Sequence, residues 1–197
     1  MSTRSSKRKP DQLNSITRAE SIELLVTHGI DLHAQRLYLT GDVNESMTAR
    51  CQHGLAILNQ MRPKKITIVL TTDGGCVYEA FAMHDMIKSN KHPVDIHALG
   101  YCMSAGPVIL QAGRKRTAAP NTQLMIHAGS ESISGEVSTV RKAREHLEAM
   151  GERMFSILAA RANVLSNEIQ VYLDQTTYFS ADEAETVGLI DEVISVD

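Results

Sequence analysis

The chain has 197 residues, 43% of them hydrophobic, with a formal net charge of −3 and three cysteines. That is enough apolar material for one full core, and the near-neutral charge leaves no overall footprint for nucleic acid or an anionic membrane. No run approaches the roughly 18 apolar residues of a spanning helix, the polar start lacks a secretory apolar stretch, and an odd set of thiols without a CxxC pair suits a reducing compartment, so a cytoplasmic protein is expected.

Residues 1–16, with Arg4, Lys7, Arg8 and Lys9, carry too little apolar surface to offset ordering entropy and are expected to form a flexible basic tail ahead of one domain spanning 17–197. Thr17 and Glu20 have capping-box spacing, and the helix they open should stop at His28-Gly29. "RLYLTG" reads as a strand, and Asn44 caps a helix with Met47, Cys51, Leu55 and Leu58 on one face. Two strand, glycine-turn and helix units follow, "KITIVLTTDGG" into "CVYEAFAMHDMIKS" and "PVDIHALGYCMSAG" into "PVILQAG". Such alternation predicts an α/β domain with parallel crossovers. "QLMIHAGS" is a further strand ending at His127, and a long helix is expected from Glu136 to about Leu165, with Val140, Leu147, Met150, Met154 and Leu158 on one stripe. Ser180 with Glu183 opens a short helix that Gly188 closes before the strand "LIDEVI".

A serine is a poor nucleophile until a base takes its proton, so Ser104 in "GYCMSAGP" matters only if a histidine reaches it. His127, at the end of an apolar strand and before Ala128-Gly129, is the candidate, because strand ends feeding loops are where parallel sheets build sites. Packing roles remain open for each residue taken alone. Acyl transfer also needs N–H donors aimed at the developing oxyanion. The Ala105 N–H at a helix start and the "TDGG" turn, Asp73 to Gly75, can offer them. The serine lacks the G-x-S-x-G elbow of an α/β-hydrolase.

Five motifs, "TTDGG", "GYCMSAG", "APNTQLMIHAG", "GEVSTVRKAREHLEAMGERM" and "FSADEAETVGLIDEVI", lie in an order and spacing that resembles the proteolytic subunit of the Clp protease, ClpP, from about Arg36 to Val193. The resemblance implies the ClpP/crotonase-type α/β spiral with a long handle helix. It makes Ser104 the nucleophile and His127 the general base, and it assigns the Gly75 and Ala105 N–H groups to the oxyanion hole. It further implies a serine endopeptidase acting on peptides and unfolded proteins inside stacked seven-membered rings, with an AAA+ ATPase unfoldase as partner. No G-x-x-x-x-G-K-[ST] loop is present, so unfolding would have to come from that partner.

The match departs from the family twice. The aspartate expected four residues before Ser180 is Thr176 in "LDQTTYFS". Asp174, two residues earlier, would share a face with Thr176 were the segment extended, leaving a displaced acid, a slow dyad or an impaired ring subunit as alternatives. After His127 the family's Gln-Pro and glycine-rich strand is replaced by "AGSESISGE", a segment that in the resemblance pairs with substrate by strand addition and contacts the opposing ring.

Other features are set aside. The histidines lack zinc-site spacing, so no metal is expected, nor any cofactor. His84 reads as a residue at the core edge and Cys102 as a buried small residue. The basic tail has no interleaved aromatics to favour nucleic acid. A crotonase-type acyl-CoA enzyme shares the spiral but would not need Ser104 with His127.

Overall fold

The computed structural model describes residues 16–129 and 134–194. Most of the expected tail therefore lies outside the described residues, as does all of "SESI" after Gly129; Ile16, assigned to the tail, packs against the core. Eight strands form one sheet: β1 (Ile30–Asp31), β2 (Arg36–Thr40), β3 (Ile66–Thr72), β4 (Val94–Met103), β5 (Arg116–Ala118), β6 (Gln123–Ile126), β7 (Thr177–Ser180) and β8 (Glu192–Val193). Around it lie α1 (Arg18–His28), α2 (Glu45–Gln60), α3 (Val77–Lys88), α4 (Gly106–Leu110), α5 (Val137–Ala159), α6 (Ser166–Asp174) and α7 (Ala181–Thr186).

Local chemistry places several of these ends. Thr17 and Glu20 form the expected capping box, and Gly29, at φ 68°, closes α1 in the left-handed region. Asn44 accepts from the Met47 N–H to start α2, and Ser180 with Glu183 repeats the capping box on α7. Strands β2, β3, β4, β5 and β8 run parallel in that order, as strand and helix alternation requires. Both faces are covered, so β3 reads as a nearly continuous apolar run, with Ile66, Ile68 and Leu70 wholly buried. Each such side chain contributes about 1.5–3 kcal/mol through burial.

The long strand β4 positions the site. Its first half pairs with β5 and its second half, Tyr101 to Met103, with β6. Between them the register against β3 shifts after Leu70, and Gly100 takes φ 75°. An irregularity of this kind bends a strand, and here it steers β4 from one pairing layer into the next. Strand β6 then pairs antiparallel with β7.

Two expectations need correction. The long helix ends at Ala159, with Glu136 as its N-cap, and its stripe is buried only towards the C-terminus, at Met154 and Leu158. The segment before "TTYFS" is a separate helix, α6, held by Ile169 and Leu173 on its buried face. It is not extended.

Candidate active site

Ser104 follows the last residue of β4 and takes φ 56°, a left-handed conformation that side chains rarely adopt. Its N–H donates to the Met125 carbonyl at 2.9 Å, so β6 holds the turn in place. Strain at a non-glycine residue persists only when neighbours over-determine it, and such residues cluster at functional sites. The turn "TDGG" presses against the other side. A Cβ on Gly74 would lie 2.5 Å from the Ser104 Cβ and 3.0 Å from its Oγ, so only glycine allows this approach.

His127 is the first residue beyond β6, half-buried, and its Nε2 lies 2.8 Å from the Ser104 Oγ. The neighbouring strands β4 and β6 thus bring together the serine and the histidine, which are 23 residues apart in sequence. The distance is that of a good hydrogen bond, a geometry in which the hydroxyl donates whenever the ring nitrogen carries no proton. Beside them the Gly75 and Ala105 N–H groups have no acceptor among the described residues. Both residues line a cavity of about 370 Å³ together with Ser104 and His127. Its remaining wall is largely apolar and includes Val77, Leu147, Met150 and Met154. A nucleophile, a base and two unpaired donors around an apolar hollow are the parts an acyl-transfer site requires.

Asp174 makes no hydrogen bond to His127 among the described residues. It is the last residue of α6, is exposed, and accepts a hydrogen bond from Gln170 Nε2 at 2.9 Å. The helix removes the extended geometry on which its approach to His127 depended. Among the described residues no carboxylate bonds the second ring nitrogen of His127, Nδ1. Thr176 lies between α6 and β7 and takes φ 53°. Ile126 pairs with Thr177 at the last step of the β6–β7 register, and both segments leave the strand beyond that step. The Ala128 N–H also donates to the Leu173 carbonyl at 3.0 Å, which fixes the end of α6 against the chain just after the histidine.

The residues set aside keep structural positions. Cys102 is wholly buried and burial pushes its thiol far up, away from a reactive thiolate. His84 sits on α3 with Nδ1 3.1 Å from the exposed Asp85 carboxylate. Among the described residues no three His, Cys, Asp or Glu side chains are grouped to hold a metal, and no helix is long and apolar enough to cross a membrane. A feature that sequence reasoning missed is the buried Arg116, 3% exposed, which bonds Asp191, Gln111 and the Gly188 carbonyl and ties the closing segment to β5.

The fold and site together define an α/β spiral whose glycine turns converge on a serine and histidine pair. Comparison with known proteins narrows the class. The Clp protease family model matches residues 26–197. A curated relative, the ATP-dependent Clp protease proteolytic subunit 3 of Rhodococcus jostii (strain RHA1), is 32% identical over 174 residues, covering 84% of this chain and 86% of that one. A solved structure of a ClpP1 point mutant from Listeria monocytogenes superposes with a TM-score of 0.77 at 26% identity, covering 84% of this chain and 94% of that one. The chain belongs to the Clp protease family and has the ClpP fold, and members of this family form ring oligomers.

Proposed function

We propose that the chain is a serine endopeptidase that cuts peptides and unfolded polypeptides inside a chamber of stacked seven-membered rings. The observation that carries this reading is the 2.8 Å contact between Ser104 and His127 beside two unpaired N–H donors. Ser104 Oγ attacks the peptide carbonyl while His127 Nε2 takes its proton and passes it to the leaving amine. The Gly75 and Ala105 N–H groups receive the negative charge that forms on the carbonyl oxygen, each worth about 3 kcal/mol in the transition state. Water then hydrolyses the acyl-enzyme with His127 as base. Folded substrates would need an AAA+ ATPase unfoldase, and the three free thiols suit work in the cytoplasm.

One observation favours a second reading, a slow or weakly active ring subunit. Thr176 occupies the position where the family resemblance expects an aspartate and cannot carry the charge that stabilises an imidazolium. Loss of the orienting acid in triad enzymes costs about four powers of ten in rate yet leaves catalysis above water.

The test is labelling of the assembled protein with a fluorophosphonate, compared with Ser104→Ala, alongside turnover of a fluorogenic peptide. Ser104-dependent labelling with turnover is expected, and Asp174→Asn should leave turnover unchanged. Absence of Ser104-dependent labelling in intact rings would overturn the peptidase reading. Labelling with very slow turnover would select the weakly active form.

A further inference from the structure

The apolar cavity beside Ser104 is a slot between two helices that are far apart in sequence. The start of α3 supplies Val77 and Tyr78 to one wall, and α5 supplies Leu147, Met150 and Met154 to the other. Two side-chain contacts bridge these helices. At the mouth, the Tyr78 hydroxyl lies 2.6 Å from His146 Nε2, with the rings nearly parallel at 15° and their centroids 6.0 Å apart. Further along, the Arg153 guanidinium sits over the Phe81 ring, 5.5 Å from its centroid. Tyr78 and Phe81 are three residues apart on α3, and His146 and Arg153 are seven apart on α5, so each pair occupies one helix face.

The mouth contact is the informative one. Tyr78 is 52% exposed, and a tyrosine with that much freedom would sample several rotamers. The hydrogen bond to His146 holds it in one of them, at the rim of the slot. His146 directly precedes Leu147, a residue of the opposite wall, so the same bond fixes that wall.

We propose that the Tyr78–His146 pair is a specificity-determining brace that sets the width of the slot receiving the substrate side chain next to the scissile bond. The brace rests on the reading of Ser104 as the nucleophile only for which side chain enters. Intact, it suits an unbranched or γ-branched aliphatic side chain such as methionine or leucine. Released, it lets the mouth open and admits a bulky aromatic group. Neither Tyr78 nor His146 is hydrogen-bonded to Ser104 or His127, so the pair acts on fit and not on the proton transfer.

The test separates the brace from the chemistry. In a Ser104→Ala background, calorimetry gives the Kd of peptides ending in leucine or in tryptophan, and the ratio of the two is the readout. Tyr78→Phe keeps the ring and removes the bond, and His146→Ala removes the partner. Each should move the ratio towards tryptophan roughly threefold to tenfold, the span of a single hydrogen bond of ordinary strength. The double variant should move it no further than either single one, because both remove the same contact. His146→Gln, whose amide oxygen can accept from the tyrosine, should restore the original ratio and serves if the alanine variant fails to assemble. With Ser104 intact, the same substitutions should shift KM and leave kcat within about twofold. A ratio unmoved by Tyr78→Phe, additive effects in the double variant, or no peptide binding at millimolar concentration would overturn the proposal. Failure of Ser104 to label would instead overturn the peptidase reading, while the binding ratio still decides the brace.

Discussion

Thr176→Asp is the substitution that bears most directly on catalysis. Residue 176 directly precedes Thr177, which pairs with Ile126, the residue before His127, and Thr176 takes φ 53°, where a β-branched residue is strained. Left-handed conformation costs an L-residue roughly 1–2 kcal/mol, and aspartate and asparagine tolerate it best. An aspartate there should therefore relax the backbone while supplying charge. Two unit charges about 4 Å apart at an effective dielectric constant of about 20 attract by about 4 kcal/mol. Position 176 is exposed, so solvent screening removes much of this. If about 2 kcal/mol survives, the imidazolium transition state gains roughly 30-fold, with the ceiling near the 10⁴ that separates a triad from its acid-less form. The assay is kcat/KM on a fluorogenic peptide for the wild type, Thr176→Asp and Thr176→Asn. Asparagine shares the backbone tolerance and lacks the charge, so it should raise Tm without the rate gain. Equal rates for the aspartate and asparagine variants would refute the reasoning, because the charge would then not reach His127.

Two other substitutions probe the scaffold. Gly74→Ala places a Cβ 2.5 Å from the Ser104 Cβ at φ 110°, so thermal unfolding should show a loss of about 2 kcal/mol or more, and fluorophosphonate labelling of Ser104 should fall sharply; unchanged labelling would mean the turn is not held against the serine. Asp191→Ala strands the buried Arg116 guanidinium, a loss of about 3–5 kcal/mol measurable by denaturant unfolding. Burial alone would raise the Asp191 carboxyl, but the Arg116 and Arg161 guanidiniums overcome it and hold the group below its usual range. A depressed carboxyl contributes stability that is full above its unfolded value, near pH 4, and is lost as pH falls through the lower folded value. The wild type should therefore lose stability below about pH 4 more steeply than Asp191→Asn in the same urea series.

What the sequence disclosed follows from the range of the interactions. Thr17 with Glu20, Ser180 with Glu183, and Asn44 with Met47 act over three residues, so their spacing announces the helix starts that form. Ser104 and His127 could be singled out because each lies at a strand end, although their contact depends on β4 and β6 being neighbours. Helix α6 was not anticipated, and the segment before "TTYFS" was considered only under the condition that it be extended. Ile169 and Leu173, four apart and both buried, were the signal for a helix, as was Glu168 accepting from the Leu165 N–H at 3.0 Å. The Tyr78–His146 and Arg116–Asp191 contacts span 68 and 75 residues, and no local pattern announces either.

The left-handed residues bear on whether position 176 could serve the site. Among the described residues only Gln35, Arg62, Ser104 and Thr176 are non-glycine with positive φ, and two of these four, Ser104 and Thr176, each adjoin a strand paired with β6. Ser104 is held by its bond to Met125 and by the approach of Gly74. Thr176 is held by its own N–H on the Leu173 carbonyl and by Thr177 Oγ1 donating to the Tyr172 carbonyl at 2.9 Å. These restraints come from backbone groups and a neighbouring hydroxyl, not from the side chain at 176. The left-handed turn therefore does not depend on which residue occupies it. On the proposed reading, the frame of a three-residue site is intact and a single side chain has been exchanged. A defect confined to one side chain should yield to one substitution, whereas a collapsed frame would not respond to Thr176→Asp at all.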